Sequence, residues 1–402
     1  MSASPQTPPA HGHEEVLEIA GNAFTPLETG ATVSLGVLAL LISGLLGLLL
    51  SALAEEHRLA AAGIGLAAML EALSTGLVTA LAGIMLRPRR LRLVTVIATL
   101  ALIAIDVATI RASGATVLLI RAMAGLPQGM LLWIAIGFIA RTQTPERWAA
   151  VLFTGMGVTQ LGAATLLSAY ILPRFGANGG YLMLAGSAAL GLPIAFFIPH
   201  RLGDLAGVEA GATGAPPQKG WVALFATLCF GASIAAVAVY VVPLARQAGL
   251  STETGRTAIS IGLACQILGG GLATGLAGRV RYVTIFWVCT AGMLAAWAIF
   301  ALKAPGPLFI AVQGLAGICQ SLGAPFLVPM TIEADPSRRT AMQSGAAQLL
   351  AGAVGPLLAA FVVGERDAHG VLLLAAMILI TAMAVVFGLH RSAATRQRRA
   401  IA

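Results

Sequence analysis

Long apolar runs separated by short polar stretches dominate the chain. Runs of about 18 or more apolar residues are typical of helices that cross a membrane. Twelve such runs are present, at residues 32–53, 59–85, 93–110, 115–140, 149–172, 181–199, 221–245, 257–278, 283–302, 308–330, 342–364 and 371–390. Most connections between them are short, so successive helices should be antiparallel neighbours. The pattern predicts an all-α membrane protein with twelve transmembrane helices.

One connection is longer than the others and divides the chain into two halves. It reads HRLGDLAGVEAGATGAPPQKG, residues 200–220, and is rich in Gly, Ala and Pro. We therefore predict an N-terminal tail, a first six-helix bundle, a linker, a second six-helix bundle and a basic C-terminal tail, at residues 1–30, 31–199, 200–220, 221–390 and 391–402.

Composition and charge agree with a membrane location. The chain is 58% hydrophobic and only 10% charged, with a mean hydropathy of +0.90, whereas soluble domains carry about 25% charged residues. The net charge of +8 resides in short Lys/Arg clusters between apolar runs, so it indicates orientation and not a nucleic-acid partner. Most of these residues fall on the side that holds both termini and the linker. We expect a multi-pass protein of the cell (inner) membrane with cytoplasmic termini, and no cleavable leader.

The sequence offers no pattern typical of an enzyme or a cofactor site. The four cysteines lie inside apolar runs at spacings that suit neither a metal site nor a disulfide scaffold. All six histidines fall in tails or at helix ends, and no ATP-binding loop is present. We expect no cofactor and no metal, and we exclude ATP-driven transport by this chain alone.

The two halves resemble each other at one constant offset. A shift of 192 residues carries Gly83 of GIMLRPR onto Gly275 of GLAGRVR, and Gly125 of AGLPQ onto Gly317 of AGICQ. The halves share orientation, so the repeat is parallel, with a pseudo-twofold axis along the membrane normal.

With these features the chain resembles the major facilitator superfamily (MFS) over essentially its whole length. The resemblance rests on the twelve runs, the central linker, the basic loops after the second and eighth runs, RAMAGLPQG in the fourth run, and TPERWAA after it. It implies a monomer of two six-helix bundles that rock about a central cavity, with helices 1, 4, 7 and 10 lining that cavity. Two features depart from the family pattern. GIMLRPRR lacks the acidic residue usual in the first basic loop, and the fifth run lacks the Gly-Pro pair of many antiporters.

Only three ionisable residues lie well inside predicted helices: Glu71, Asp106 and Arg121, all in the first half. Burial disfavours the ionised form of a carboxyl group, whereas a nearby guanidinium favours it. Glu71 is a candidate proton carrier, or alternatively a buried structural carboxylate. Arg121 is a candidate to bind an anionic solute, or to pair with Glu71 or Asp106 and tune its protonation. Asp106 is the third candidate for proton coupling, although a structural role is the stronger interpretation for it.

Polar side chains in the predicted helices are candidates for solute binding, although packing between helices is the stronger interpretation for each of them alone. Together with Arg121, they predict a cavity with one cationic side and an opposite side rich in amides: Gln128, Trp133, Tyr240, Gln313, Gln320 and Gln348.

We therefore expect a secondary transporter, not an enzyme, whose partners are protons, a small solute and the lipid bilayer. The leading hypothesis is proton-coupled uptake of a small organic solute, anionic or zwitterionic, by alternating access. The alternative is a proton-driven exporter of amphipathic compounds or drugs. A third hypothesis is a non-transporting receptor or lipid-handling protein of the same fold.

Overall fold

The structure, a computed structural model, describes residues 17–19, 22–203, 215–363 and 369–401, so most of the predicted N-terminal tail and the middle of the predicted linker lie outside the described residues. A short antiparallel hairpin of β1 (Leu17–Ile19) and β2 (Asn22–Phe24) comes first. Helices make up almost all of the rest: α1 (Pro26–Glu55), α2 (Ala61–Met85), α3 (Leu91–Thr109), α4 (Ala115–Ile139), α5 (Pro145–Leu166), α6 (Leu172–Ala189), α7 (Gly191–Phe197), α8 (Gln218–Ala238), α9 (Val241–Gln247), α10 (Thr252–Leu276), α11 (Tyr282–Ala301), α12 (Gly306–Gly323), α13 (Leu327–Ala334), α14 (Arg339–Ala360) and α15 (Gly370–Ile401).

The first helix begins earlier than the apolar pattern predicts, at Pro26 and not at residue 32. The reason is local and polar. The Thr25 hydroxyl accepts a hydrogen bond from the Glu28 amide at 3.2 Å, and the Glu28 carboxylate accepts one from the Thr25 amide at 3.0 Å. This reciprocal pair is a capping box, with Pro26 at the first helical position, where its missing N–H is no loss.

Three predicted helices are interrupted, and a proline lies close to each interruption. The predicted helix 181–199 divides between α6 and α7, and 221–245 divides between α8 and α9, with Pro193 and Pro243 in the first turn of the second piece. The predicted helix 308–330 contains a 3-10 turn around Pro325. Proline lacks the N–H that an uninterrupted helix needs. Gly176, with φ +60°, marks the reversal after α5 and the π-helical turn that follows it.

Nine helical stretches of the described residues are long and apolar enough to cross a membrane. One of them, Pro145–Phe197, contains two of the predicted crossings joined through the reversal at Gly176. Helix α1 is not among these nine stretches. Its segment Pro26–Leu41 is apolar but shorter than the length required of them. The described part of the chain is therefore almost wholly helical, as in a multi-pass membrane protein, and the division into twelve crossings stays a prediction.

Buried apolar side chains form two clusters. One consists almost wholly of residues before the linker and the other almost wholly of residues after it. The two groups of helices meet where α2 packs on α14 and where α5 packs on α10.

Contacts at one end of the helices join the two groups. We call this end the linker side, because the Gly203 carbonyl lies here and accepts a 2.6 Å hydrogen bond from Arg141. The opposite end is the far side. On the linker side, the Arg338 guanidinium donates hydrogen bonds to the backbone carbonyls of Ala140 at 2.9 Å and Thr142 at 2.7 Å. Burial lowers the pKa of Arg338 from its ordinary value. Arg338 therefore ties the chain segment before α14 to the loop between α4 and α5.

Candidate functional site

The close approach of α2 and α4 is what brings the intramembrane charges together. Two glycines of α4 face the backbone of α2. A β-carbon added to Gly125 would lie 2.6 Å from the Glu71 carbonyl oxygen, and one added to Gly129 would lie 2.7 Å from the Thr75 carbonyl oxygen. Small residues allow helices in a membrane to approach this closely. The side chains that flank these glycines on α4 therefore reach the carboxylate on α2.

Arg121 lies at the centre of a buried cluster. One terminal nitrogen of its guanidinium lies 3.0 Å from the Asp106 carboxylate and donates a 2.7 Å hydrogen bond to the Thr109 hydroxyl. The other terminal nitrogen lies 3.7 Å from the Glu71 carboxylate. All three charged side chains are at most 1% exposed. The pairing that the sequence left open as an alternative is the arrangement found here.

Gln128 completes the polar surroundings of Glu71. Its amide donates a hydrogen bond of 2.5 Å to one oxygen of the Glu71 carboxylate. The hydroxyls of Ser74 and Thr75, which follow Glu71 by one turn, donate instead to the Glu71 backbone carbonyl at 3.0 and 2.7 Å. The carboxylate itself is therefore held from α4, by Gln128 and Arg121.

Tyr181 is a member of the cluster that the sequence analysis missed. It is fully buried on α6, and the guanidinium carbon of Arg121 lies 5.1 Å from the centre of its ring. A cation over an aromatic face is stabilised by the ring quadrupole. Within the described residues its hydroxyl has no hydrogen-bond partner. A single tyrosine near the start of an apolar helix gave no signal of this contact.

The charges of the cluster do not balance when every group is ionised. Two carboxylates face one guanidinium, which leaves a net charge of −1 in a region that the solvent does not reach. In the part of the chain that is described, one oxygen of Glu71, one oxygen of Asp106 and two nitrogens of Arg121 lack a hydrogen-bond partner. Because an uncompensated buried charge is strongly unfavourable, one added proton would make the cluster neutral.

A separate cavity of about 380 Å³ lies between the two halves. The first half contributes an apolar wall that includes Leu132, Ile136 and Phe153. The second half contributes the polar lining, and the side chains of Gln266 on α10 and Gln320 on α12 lie 3.5 Å apart. The remaining polar lining residues are Ser321, Ser344 and Gln348.

The residues predicted to bind solute divide between these two places and their surroundings. Gln320 and Gln348 line the cavity, together with Gln266, which the sequence analysis did not select as a solute-binding candidate. Arg121 and Gln128 are not lining residues and belong to the charge cluster. Also outside the lining are three further candidates: Trp133, which is 2% exposed, Gln313, which packs on Gly262, and Tyr240, at the junction of α8 and α9. The structure thus corrects the expectation of a cationic side to the cavity.

Helix α4 connects the cluster to the cavity. Arg121 lies in its first half, Gln128 lies at its middle, and Leu132 lies one turn beyond Gln128, where the cavity wall starts. The helix α2, which carries Glu71, is also in contact with the second half: Leu350 of α14 lies 3.1 Å from a β-carbon added to Gly76. A movement of the two halves against each other would therefore act on both helices that hold Glu71.

Comparisons with known proteins find similarity at the level of the fold. No family model matches the chain, and no curated protein matches it either. Among solved structures, the MFS transporter FucP in its outward conformation aligns with a TM-score of 0.70 and 14% identity, over 91% of this chain and 98% of FucP. The human organic anion transporter MFSD10 aligns with a TM-score of 0.67 and 16% identity, over 90% of this chain and 99% of MFSD10. The proton:xylose symporter XylE aligns with a TM-score of 0.67 and 12% identity, over 90% of this chain and 95% of XylE. The chain therefore has the fold of the major facilitator superfamily transporters, as its sequence resemblance implied.

Proposed function

We propose that the protein is a proton-coupled secondary transporter of a small organic solute, and not an enzyme, and that it works by alternating access. The observation that carries the proposal is the buried cluster in which Glu71 and Asp106 share one guanidinium, that of Arg121. Two of the structural neighbours are proton symporters by their titles, and this agrees with the proposal.

In this proposal Glu71 is the group that carries the proton. The Arg121 guanidinium is closer to Asp106, at 3.0 Å, than to Glu71, at 3.7 Å. Asp106 lies on α3, whose main described helix contacts are with α4, α6 and α7 of the first half, whereas Glu71 lies on α2, which packs on the second half. Asp106 then serves as the fixed partner of Arg121, and Glu71 is the acid whose surroundings change as the halves move.

The coupling follows from the position of α4. Solute in the cavity contacts the part of α4 that contains Leu132 and Ile136, and Gln128 lies one turn earlier on the same helix. A shift of α4 therefore changes the hydrogen bond from Gln128 to Glu71. Without that bond the ionised carboxylate is less stable, so solute binding and proton binding influence each other.

We also propose the complete architecture: twelve crossings, arranged as two bundles at residues 31–199 and 221–390 joined by the linker 200–220. Equivalent contacts in the two halves support a pseudo-twofold repeat. Gly125 packs on the backbone of α2 near Glu71, and Gly317, 192 residues later, packs on the backbone of α10 at Gly262. The contacts of α2 with α14 and of α10 with α5 also exchange under this offset.

By the distribution of Lys and Arg, we propose that the linker side faces the cytoplasm of a cell with this protein in its inner membrane. We propose a monomer, as the family resemblance implies.

The direction of transport and the charge of the solute are further parts of the proposal. We favour uptake. The expectation of an anionic or zwitterionic solute depended on Arg121, which is engaged by two carboxylates. The titles of the neighbours name both an organic anion transporter and sugar symporters. The alternative of an exporter of amphipathic compounds is favoured by the apolar wall of the cavity, and greater sensitivity of cells without the protein to lipophilic cations would support it.

The test of proton coupling uses proteoliposomes that contain a pH-sensitive dye. Single metabolites are added outside, and proton movement is recorded with wild-type protein, Glu71→Gln and Glu253→Gln. Glu253 is an exposed carboxylate at the start of α10, which makes its substitution a matched control. We expect solute-evoked proton movement with the wild type and the control, and none with Glu71→Gln. Proton movement of wild-type size with Glu71→Gln would refute the assigned role of this residue.

A further inference from the structure

The lining of the central cavity limits the class of solute that it accepts. None of the lining residues in the described part of the chain is ionisable. The three charged side chains buried in the first half interact with one another, since Arg121 is paired with Glu71 and Asp106. A charged solute in this cavity would lose its water without gaining a counter-ion, which is strongly unfavourable.

The polar groups of the cavity are almost all on one side. Gln266, Gln320 and Gln348 come from α10, α12 and α14 of the second half, and each amide both donates and accepts hydrogen bonds. The nearby Ser344 hydroxyl already donates to the Ala341 carbonyl at 2.8 Å. The opposite wall, mainly from α4 and α5, has only apolar Leu, Ile, Phe, Met and Ala side chains, and the second half adds further apolar residues beside its amides. A complementary solute therefore has one edge of hydroxyl, carbonyl or amide groups and one apolar face.

We infer that the solute is an uncharged amphipathic organic molecule, bound through its hydrogen-bonding edge by Gln266, Gln320 and Gln348. This inference rests on the proposed transport function and names the solute class for it. A cavity of about 380 Å³ is within the usual size of small-molecule sites. Gln266 donates one long hydrogen bond of 3.5 Å to Gln320, and the remaining amide groups, left unpaired by a solute that lacks the hydrogen-bonding edge, provide the selectivity.

The first test measures the electrostatic selectivity of the cavity without knowledge of the solute. Gly352 lines the cavity one turn beyond Gln348, and a β-carbon added there meets nothing within 4 Å. Gly352→Cys is made in a background without the four native cysteines. It is labelled with neutral hydroxyethyl, anionic sulfonatoethyl and cationic trimethylammonioethyl methanethiosulfonate. Gly30→Cys is the matched control, since Gly30 is exposed, also has nothing within 4 Å and lies outside the cavity.

For Gly352→Cys we expect both charged reagents to be slower than the neutral one by roughly tenfold or more, after correction by the ratios measured for Gly30→Cys. For each charged reagent the measured quantity is the ratio of its labelling rate to that of the neutral reagent. An equal ratio at Gly352→Cys and at Gly30→Cys, for either charged reagent, would overturn the inference.

The second test uses protein with its native cysteines, so it does not depend on the folding of the cysteine-free background. Neutral amides and alcohols, carboxylates and amines of similar size are screened for an increase in thermal stability. The screen is repeated with Gln320→Leu and with Gln313→Leu, a matched control seven residues earlier on the same helix and outside the cavity lining. We expect the stabilising compounds to be neutral, their effect to be lost in Gln320→Leu and kept in Gln313→Leu. Stabilisation mainly by carboxylates or amines, or a full effect in Gln320→Leu, would contradict the inference.

Neither test applies a proton gradient. Failure of proton coupling in the proteoliposome experiment would therefore leave this inference standing, and failure of the inference would leave proton coupling by Glu71 untouched.

Discussion

Replacement of Arg121 by Leu removes the single positive charge of the buried cluster and leaves two carboxylates without a counter-charge. Coulomb's law at an effective dielectric constant of about 20 gives roughly 4–6 kcal/mol for each attraction at the distances of 3.7 and 3.0 Å. Part of this loss is recovered because the carboxylates can take up protons. Removal of one partner from a buried ion pair typically destabilises a protein by about 3–5 kcal/mol, and this is the loss that we expect for Arg121→Leu.

The assay is thermal unfolding of the purified protein in detergent, followed by intrinsic fluorescence at one fixed scan rate. For a domain of 150–250 residues, 1 kcal/mol corresponds to roughly 2–4 °C. The expected decrease in the apparent melting temperature is therefore roughly 6–20 °C. Arg174→Leu is the control, because Arg174 is an exposed arginine that also stacks on a tyrosine. It should change the stability by no more than about 0.5 kcal/mol.

A second variant distinguishes charge imbalance from simple loss of packing. In Asp106→Asn combined with Arg121→Gln, the only ionisable member left of the three is Glu71, which can be neutral when protonated. We expect the double variant to recover at least half of the stability lost in Arg121→Leu. The reasoning would be refuted if Arg121→Leu lowered the melting temperature no more than Arg174→Leu does, or if the double variant were as unstable as Arg121→Leu.

Three further predictions concern single features of the structure. Gly125→Ala should destabilise the protein by about 1–3 kcal/mol, since its β-carbon would lie 2.6 Å from the Glu71 carbonyl oxygen. Gly271→Ala is the control, because a β-carbon added there meets nothing within 4 Å. The control should be neutral or stabilising in the same melting assay. Tyr181→Phe should keep the free energy of unfolding within about 0.5 kcal/mol of the wild type, because the lost hydroxyl has no described partner. Tyr181→Ala should lower it by about 3–5 kcal/mol. A large loss for Tyr181→Phe would show that the hydroxyl is needed. Arg338→Gly tolerates the left-handed backbone of φ 61° but removes the hydrogen bonds to the loop between α4 and α5. It should accelerate thiol labelling of a cysteine placed on the linker side of the cavity. An unchanged labelling rate would contradict the role of Arg338 in joining the halves.

The hydrophobic pattern was sufficient for the fold, because in a membrane every backbone group must be satisfied within its own helix and the helices must be long enough to span the hydrocarbon. It could not locate local interruptions. The breaks near Pro193, Pro243 and Pro325 lie inside apolar runs, where the average hydropathy does not change. The start of α1 at Pro26 depends on two polar side chains, Thr25 and Glu28, that precede the apolar run.

For the candidate site, the sequence identified the charged residues but not their surroundings. The scarcity of charge inside the predicted helices selected Glu71, Asp106 and Arg121, and these do lie together. Which side chains line the cavity depends on the rotation of each helix about its axis and on how far the cavity extends along that helix, and both are set by packing. Gln313 and Gln320 are seven residues apart on α12, yet only Gln320 lines the cavity. Tyr181 contacts Arg121 because α6 packs on α3. No pattern in the sequence around Tyr181 indicates this contact.

The central claim is that the buried cluster takes up one proton, and that Glu71 is the group that receives it. Infrared difference spectroscopy of the purified protein between alkaline and acidic buffer detects the carbonyl stretch of a buried protonated carboxyl group directly. We predict a band in the wild type and in the exposed-carboxylate variant Glu253→Gln that is absent in Glu71→Gln. An identical band in Glu71→Gln, or no such band in the wild type, would contradict the account.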